Sequence, residues 1–442
     1  MRKGVRYFAI LSLLAGALPV LAAPSSVPAV AKALDLFNIG NQSEAIATIA
    51  GALNEVKDDP VLRLVYGVML ANDRRYDDAA REFATAAQSL SGDPLPHLLA
   101  EGAFTDKGDS SAAERERAVA DSILKNGCGN ISLSRSESMF ESWLARYPRN
   151  AITLNLLGDV RQMLGDQRGA VTAYRDAAAS APWWIKPHFN LGMAYLSTDP
   201  AAAANSFSRA LELDPKNPRA YLWLGDAYAG QSKYAEALKA YKRAKESKSL
   251  AGQVSLRTGN VYLKQGLGSE AKEEFRQAVQ ADPNDPAAKA GLAEAYVREG
   301  QYEKGAQSYA EAAKQLPITT PPSAKVTVLG NLANAYAGSG NYQRAIDLLK
   351  RIIETDPSFK EPYATLASVY RRAGLLERGI AEYQQKVKGP SVNPADAIIL
   401  AEMQLAAQNT AGAREAFEIA LKWAKSEPFT SYAREGLASL PK

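Results

Sequence analysis

Histidine and cysteine are the scarcest of the side chains in this 442-residue chain that could support catalysis or bind a metal. His97 stands just after Pro96 with no cysteine or second histidine nearby, and His188 lies at a packing position of the segment 182–192. A zinc site needs three or four ligands at defined spacing, and the sequence contains no zinc, phosphate-loop or nucleophile-elbow pattern. The residues therefore predict no metal, no cofactor and no catalytic site.

Carboxylates are the other groups that could do chemistry, and there are 48 of them, scattered at positions typical of helix surfaces. Folding could bring two together as general acid and base, so an enzyme remains the third-ranked alternative. The one cysteine, Cys128, stands in the sequence NGCGN (126–130). It is either a reactive or intermolecular thiol or a residue without a special role, and the sequence leaves both interpretations open. A single cysteine cannot form an internal disulfide. Because exported eukaryotic proteins of this size more often carry several cysteines, the count favours an exported bacterial protein.

Tryptophans offer a different kind of site, because an indole ring can stack on a sugar or a proline. Trp183 and Trp184 are adjacent, and Trp223 follows in a later helix. The pair favours packing between neighbouring repeats over a stacking platform. Polysaccharide binding through these three rings remains the alternative function.

The elements that position these residues recur with a period of about 34 residues. One ladder is aromatic except at its sixth place: Tyr174, Phe207, Tyr241, Phe275, Tyr309, Leu349, Tyr383, Phe417. A second, with almost the same spacing, holds small residues: Gly158, Gly192, Gly225, Gly259, Ala293, Ala333, Ala367, Ala401. Matching periods in two registers indicate a repeat array, in which small residues let helices approach and aromatic residues fill the remaining space.

The repeating unit resembles the tetratricopeptide repeat (TPR), a 34-residue helix–turn–helix, most clearly over 218–249. There Tyr221, Leu224 and Tyr228 share one helical stripe. Gly230, Gln231 and Ser232 follow as a polar turn, in which the glycine tolerates a positive φ. The resemblance implies an all-α fold, a right-handed α-solenoid of stacked helix–turn–helix TPR units.

The period also divides the chain. We predict a signal peptide at 1–22, divergent TPR-like repeats at 23–93, an irregular TPR-like segment with an insertion at 94–150, eight TPR units at 151–424 and a capping helix at 425–442. A proline-rich loop is expected at 316–325.

The first 22 residues predict export, because three basic residues precede the apolar run Phe8 to Leu18 and a small-residue cleavage site ends at Ala22. An uncleaved anchor is the alternative, although the run is short for a membrane span; no later segment predicts a span. We therefore expect a periplasmic or extracellular protein of a bacterial envelope. Without the three basic residues of 1–22, the formal charge of +4 falls to about +1, which gives no case for nucleic acid.

In the TPR family the first helix of each unit lines a concave groove that holds partner peptides, and the resemblance implies a protein-interaction scaffold of the cell envelope. Asparagine can hydrogen-bond a peptide backbone and arginine can grip a carboxylate, so the groove suits an extended, partly acidic segment. Glu294 also falls at a groove position. The predicted groove residues are Asn155, Asp159, Lys186, Asn190, Arg219, Trp223, Asp226, Arg257, Asn260, Lys264, Arg298, Asn331, Asn334, Arg371 and Arg372.

Overall fold

The computed structural model describes residues 27–55, 59–125, 129–425 and 427–441. Within these ranges the regular structure consists of 24 α-helices and one 3₁₀ turn, Lys248–Leu250, without a strand. The predicted all-α solenoid of consecutive helix pairs is therefore confirmed. The predicted signal peptide, its cleavage site and Cys128 lie outside the described residues.

The chain divides into two compact lobes between Lys233 and Tyr234. The N-terminal lobe contains α1 (Val27–Asn38), α2 (Gln42–Glu55), α3 (Pro60–Asn72), α4 (Tyr76–Ser89), α5 (Leu95–Lys107), α6 (Ser110–Lys125), α7 (Gly129–Arg146), α8 (Ala151–Met163), α9 (Gln167–Ser180), α10 (Ile185–Tyr195), α11 (Pro200–Leu213) and α12 (Pro218–Gly230).

The C-terminal lobe contains α13 (Tyr234–Ala244), α14 (Ala251–Lys264), α15 (Gly268–Ala281), α16 (Pro286–Arg298), α17 (Tyr302–Gln315), α18 (Pro322–Gly338), α19 (Tyr342–Thr355), α20 (Glu361–Arg372), α21 (Leu376–Lys386), α22 (Pro394–Ala406), α23 (Thr410–Trp423) and α24 (Phe429–Ser439). Because α18 already begins at Pro322, the proline-rich loop expected at 316–325 ends four residues early. A proline is well suited to the first turn of a helix, where its missing N–H has no partner to lose.

Polar caps and proline residues define the starts of the first helices. Asn150 accepts hydrogen bonds from the backbone N–H groups of Ile152 and Thr153 at 3.1 and 3.2 Å, which satisfies two of the free donors at the start of α8. Asn217 caps α12 in the same way, and Pro218 follows it. These local signals mark where α8 and α12 begin independently of tertiary packing.

The turn inside a repeat usually requires a left-handed residue. Gly165, Gly266 and Gly300 hold this position with φ of +83°, +78° and +75°. In the unit at 218, Gly230 remains the last residue of α12, and Ser232, the third residue of the expected polar turn, takes the positive φ, +59°. In these repeats the residue with positive φ lies two positions after the last residue of the first helix. The presence of a glycine in the turn does not by itself identify this position.

The two ladders form the interior of the repeats. All eight ladder side chains from Tyr174 to Phe417 are at most 2 % exposed. A Cβ atom at Gly158 would lie 2.5 Å from Cε1 of Tyr174, and one at Gly259 would lie 2.8 Å from Cε1 of Phe275. The small residues are thus the floor on which the aromatic rings rest, as the sequence predicted.

The N-terminal lobe also contains a contact that nearest-neighbour stacking does not produce. Phe37 of α1 packs edge-on against Trp183 and Trp184, with ring centroids 5.1 and 5.3 Å apart. Nε1 of Trp183 donates a 2.8 Å hydrogen bond to the carbonyl oxygen of Asn38, 145 residues away. The tryptophan pair is a packing element, as favoured above, but its partner is the first helix rather than a neighbouring repeat. Trp184 is 2 % exposed and offers no stacking face.

Candidate functional site

The predicted groove residues lie on the first helices of successive repeats, but their environments differ. Asn155 is buried, and Asp159, Asn190, Trp223, Asp226, Arg257 and Asn331 are partly buried. The exposed members are Lys186, Arg219, Asn260, Lys264, Arg298, Asn334, Arg371 and Arg372.

One cavity of the N-terminal lobe brings several of these residues together. The cavity has a volume of about 610 Å³ and lies between α3, α4 and α5 on one side and the segment from Trp184 to Arg219 on the other. Lys186, Asn190 and Arg219 line it. The volume falls within the range of natural ligand pockets, about 300–1,000 Å³. We call it the N-lobe cavity.

Aromatic side chains form the apolar wall of the N-lobe cavity. Tyr76, Phe83, Trp184 and Phe189 all line it. Phe83 and Trp184 are held from behind by the core, at 1 and 2 % exposure. Phe189 packs edge-on against Phe207 of α11, with ring centroids 5.5 Å apart. The wall is therefore preformed, since its rings are fixed by contacts outside the cavity.

Charged groups surround this wall, and they differ in whether they are paired. Arg219 Nη1 lies 3.2 Å from Oδ1 of Asp106, which links α12 to α5. Glu101 lies 3.3 Å from Nη1 of Arg117. Among the described residues, the side chains of Arg74 and Lys186 have neither an ion pair nor a hydrogen bond. The cavity lining consequently carries two cations without a direct ion pair and no acid without one, although the Lys186 ammonium also acts electrostatically on the Asp159 carboxyl behind the wall.

A hydrogen-bonded network lies behind Asn190. Oδ1 of Asp159 accepts from the hydroxyl of Tyr174 at 2.8 Å and from Nδ2 of Asn190 at 3.0 Å. Oδ2 of Asp159 accepts from Nδ2 of Asn155 at 3.2 Å, and Oδ1 of Asn155 accepts from Nδ2 of Asn190 at 3.1 Å. Asn155 is 1 % exposed, so it supports the cavity wall rather than reaching a ligand.

Burial raises the pKa of the Asp159 carboxyl above its usual value, although the Lys186 ammonium and the Tyr174 hydroxyl partly offset the shift. Burial likewise raises the pKa of Tyr174, assisted by the neighbouring Asp159 charge. The hydroxyl therefore stays protonated and donates to the carboxylate. Asp159, one of the predicted groove residues, is therefore part of a hydrogen-bonded network behind the cavity wall.

The C-terminal lobe repeats part of this arrangement. Tyr309 donates to Oε2 of Glu294 at 2.9 Å, and Nε of Arg298 lies 2.8 Å from Oε1 of the same carboxylate. Asp159 and Glu294 each precede their tyrosine by 15 residues. Sequence reasoning missed this pairing, although the constant spacing of an acid and a ladder tyrosine was the available signal.

Both histidines have a polar partner within the fold. Nδ1 of His97 lies 2.8 Å from Oε2 of Glu116, and Nε2 of His188 lies 3.2 Å from the carbonyl oxygen of Pro182. Burial lowers the pKa of His188, so it is a neutral packing residue at neutral pH. No group of three or more histidine, cysteine, aspartate or glutamate residues suited to a metal ion occurs in the described ranges.

Of the helices in the described ranges, none combines the length and the apolar character that crossing a bilayer requires.

Comparison with known proteins agrees with the repeat geometry. Two family profiles, both described as Tetratricopeptide repeat, match the chain, one at 30–94, 189–251 and 256–317 and the other at 328–362. Tetratricopeptide repeat protein 37 of Xenopus laevis is 26% identical over 223 residues, which are 48% of this chain and 14% of that protein. The anaphase-promoting complex subunit CDC16 of Saccharomyces cerevisiae is 24% identical over 195 residues, 43% of this chain and 23% of that subunit.

The chain thus spans less than a quarter of the length of these curated relatives. Among solved structures, PilW, a type IV pilus biogenesis factor, is 19% identical with a TM-score of 0.45, covering 49% of this chain and 98% of that one. A tetratricopeptide repeat protein of Parabacteroides merdae is 17% identical with a TM-score of 0.39, covering 57% and 97%. The family profiles together match about half of the residues, in register with the helix pairs, and the chain belongs to the tetratricopeptide repeat family.

Proposed function

We propose that this protein is a non-enzymatic scaffold that captures a partner protein by seating one peptide segment of it in the N-lobe cavity. The observation that supports this most strongly is the combination of a preformed aromatic wall with the unpaired cations Arg74 and Lys186. Membership of a family of interaction scaffolds agrees with it.

The chemistry of the lining defines the segment. Tyr76 and Phe189, the partly exposed rings of the wall, suit a bulky apolar side chain, because burying such a side chain contributes about 1.5–3 kcal/mol. Arg74 and Lys186 suit a carboxylate beside it. The volume of about 610 Å³ accommodates a few side chains rather than a folded domain. The expected ligand is therefore a short segment in which an acidic residue adjoins an aromatic or large aliphatic one.

The binding test uses a fluorescein-labelled, blocked hexapeptide with the sequence Ala-Ala-Phe-Glu-Ala-Ala, followed by fluorescence anisotropy. Charge reversal of both cations, Arg74→Glu with Lys186→Glu, should weaken binding about tenfold or more, since two attractive contacts become repulsive. A peptide with Gln in place of Glu should lose affinity for the wild type but not for this variant.

The matched control reverses two exposed arginines of the C-terminal lobe, Arg371→Glu with Arg372→Glu. The change in net charge is the same, so a loss caused only by overall charge would appear in both variants. Unchanged binding in the cavity variant with loss in the control would move the site to the C-terminal lobe and refute the cavity assignment.

We also propose that the chain is exported and acts in a bacterial envelope. This rests on the basic start and apolar run of residues 1–22. Fusing residues 1–30 to a reporter that is active only outside the cytoplasm tests it. A reporter that remains inactive, while a control fusion to an established signal peptide is active, would refute export.

A further inference from the structure

Asn190 lines the N-lobe cavity, and its hydrogen bonds determine which way its side-chain amide is oriented. A side-chain amide has two N–H donors on its nitrogen and an acceptor oxygen. Nδ2 of Asn190 makes two hydrogen bonds behind the cavity wall, to Asn155 Oδ1 at 3.1 Å and Asp159 Oδ1 at 3.0 Å. Both donors are therefore used, and no donor from the described residues reaches its Oδ1.

That oxygen is accessible from the cavity. Asn190 lines the cavity, and the one fully buried side-chain polar atom without a partner in the described ranges belongs to Gln315. Oδ1 of Asn190 is therefore open rather than enclosed. Whatever occupies the cavity meets an acceptor at this point and no donor.

Asp159 is the reason that the amide is held this way. An ionised carboxylate only accepts hydrogen bonds, so Asn155, Asn190 and Tyr174 must each turn a donor towards it. With Nδ2 of Asn155 committed to Asp159, Oδ1 of Asn155 becomes the second acceptor for Asn190. The polarity of the whole network follows from one acidic residue.

We propose that Asp159 is a positioning residue that fixes Asn190 as a hydrogen-bond acceptor, so that the N-lobe cavity selects a ligand through one backbone N–H group. The inference rests on the proposed function, since it concerns how the same cavity recognises a peptide. Lys186 lies four residues before Asn190 on α10, and residues at this spacing share one helix face. The acceptor and the cation are therefore neighbours, which matches the backbone N–H and the side-chain carboxylate of one acidic residue.

The test replaces the backbone amides of the hexapeptide Ala-Ala-Phe-Glu-Ala-Ala one at a time by esters, which removes a single N–H without changing the side chains. In the wild type one ester, at or next to the acidic residue, should weaken binding about five- to tenfold, because the Asn190 oxygen loses its partner. The remaining esters should change affinity much less. Binding is measured by fluorescence anisotropy at constant salt.

Two protein variants assign the effect. Asn190→Leu, similar in volume, removes the acceptor, so the all-amide peptide should bind about five- to tenfold more weakly and the sensitive ester should lose its penalty. Asp159→Asn keeps the shape but supplies a donor, which lets the amides of Asn155 and Asn190 turn over. The ester penalty should then fall to less than half of its wild-type ratio. A purely structural role of Asp159 would change all peptides equally.

The outcomes separate the two proposals. If reversing Arg74 and Lys186 leaves the all-amide peptide unaffected, the cavity is not the site and both proposals fall. If that reversal weakens binding but Asn190→Leu leaves the ester penalty intact, the cavity assignment stands and the role of Asn190 is refuted. An ester penalty that Asp159→Asn leaves unchanged removes Asp159 from the argument.

Discussion

The contact between Trp183 and the first helix is the feature most readily tested, because it distinguishes the N-terminal lobe from a simple linear array. Replacing Trp183 by alanine removes the 2.8 Å hydrogen bond to Asn38 and the ring contact with Phe37 at 5.1 Å. The hydrogen bond contributes about 1 kcal/mol and the aromatic pair about 0.5–1.5 kcal/mol beyond its buried area. With the lost apolar burial of a partly exposed ring, we expect a destabilisation of about 3 kcal/mol.

Trp183→Phe is the matched control, because it keeps an aromatic ring against Phe37 while it loses the N–H donor and the smaller ring of the indole. Its cost should be about 1 kcal/mol. The assay is urea unfolding combined with hydrogen exchange of residues 27–38. Alanine should greatly accelerate exchange in α1, phenylalanine should do so slightly, and α11 should remain protected in both variants. Unchanged protection of α1 in the alanine variant would refute a docked first helix.

Four further substitutions test the interior, an exposed helix position, a turn and the buried acid. Gly158→Ala should destabilise by about 1–3 kcal/mol in thermal unfolding, because its Cβ would lie 2.5 Å from the Tyr174 ring; Gly51→Ala, which meets nothing within 4 Å, should instead stabilise α2 by about 1 kcal/mol. Ser232→Gly should stabilise by about 0.5 kcal/mol, since relief at φ +59° exceeds the added chain entropy. Asp159→Asn should be more stable than the wild type at neutral pH, because burial destabilises the ionised carboxyl. The difference in the free energy of unfolding between the two proteins should narrow as the pH falls through the raised pKa of Asp159. It should close below about 3.8, where the carboxyl is neutral in both the folded and the unfolded state. A gap that widens in acid would contradict the burial of this carboxyl.

The sequence predicted the repeating part of the fold because its signals are local. An aromatic ladder at a 34-residue period identifies which side chains are buried, and Tyr174 through Phe417 are. Proline residues and polar caps such as Asn217 mark helix starts without reference to distant residues. Each repeat buries its stripe against its neighbours, so the period carries nearly all of the information needed.

The sequence predicted the surroundings of a side chain less well where that side chain contacts a segment distant in the chain. Trp183 was assigned to packing, but nothing in the period indicates that its partner is Phe37. Asp159 was assigned to the groove because its position in the repeat faces that way in related proteins. Its actual partners, Asn190 and Tyr174, come from two other helices, and their donors draw the carboxylate inwards.

The candidate site follows from these same long-range contacts. A strictly periodic array presents the same helix positions in every repeat. Position within the repeat therefore does not indicate which of the first helices binds a ligand. The N-lobe cavity breaks that equivalence, because α3 to α5 face α10 across it and combine there an aromatic wall with the cations Arg74 and Lys186. The contact of Phe37 with Trp184 ties the first helix to the residue that forms part of this wall. Loosening α1 by Trp183→Ala should therefore also weaken binding of the acidic hexapeptide, whereas a cavity independent of that contact would bind it unchanged.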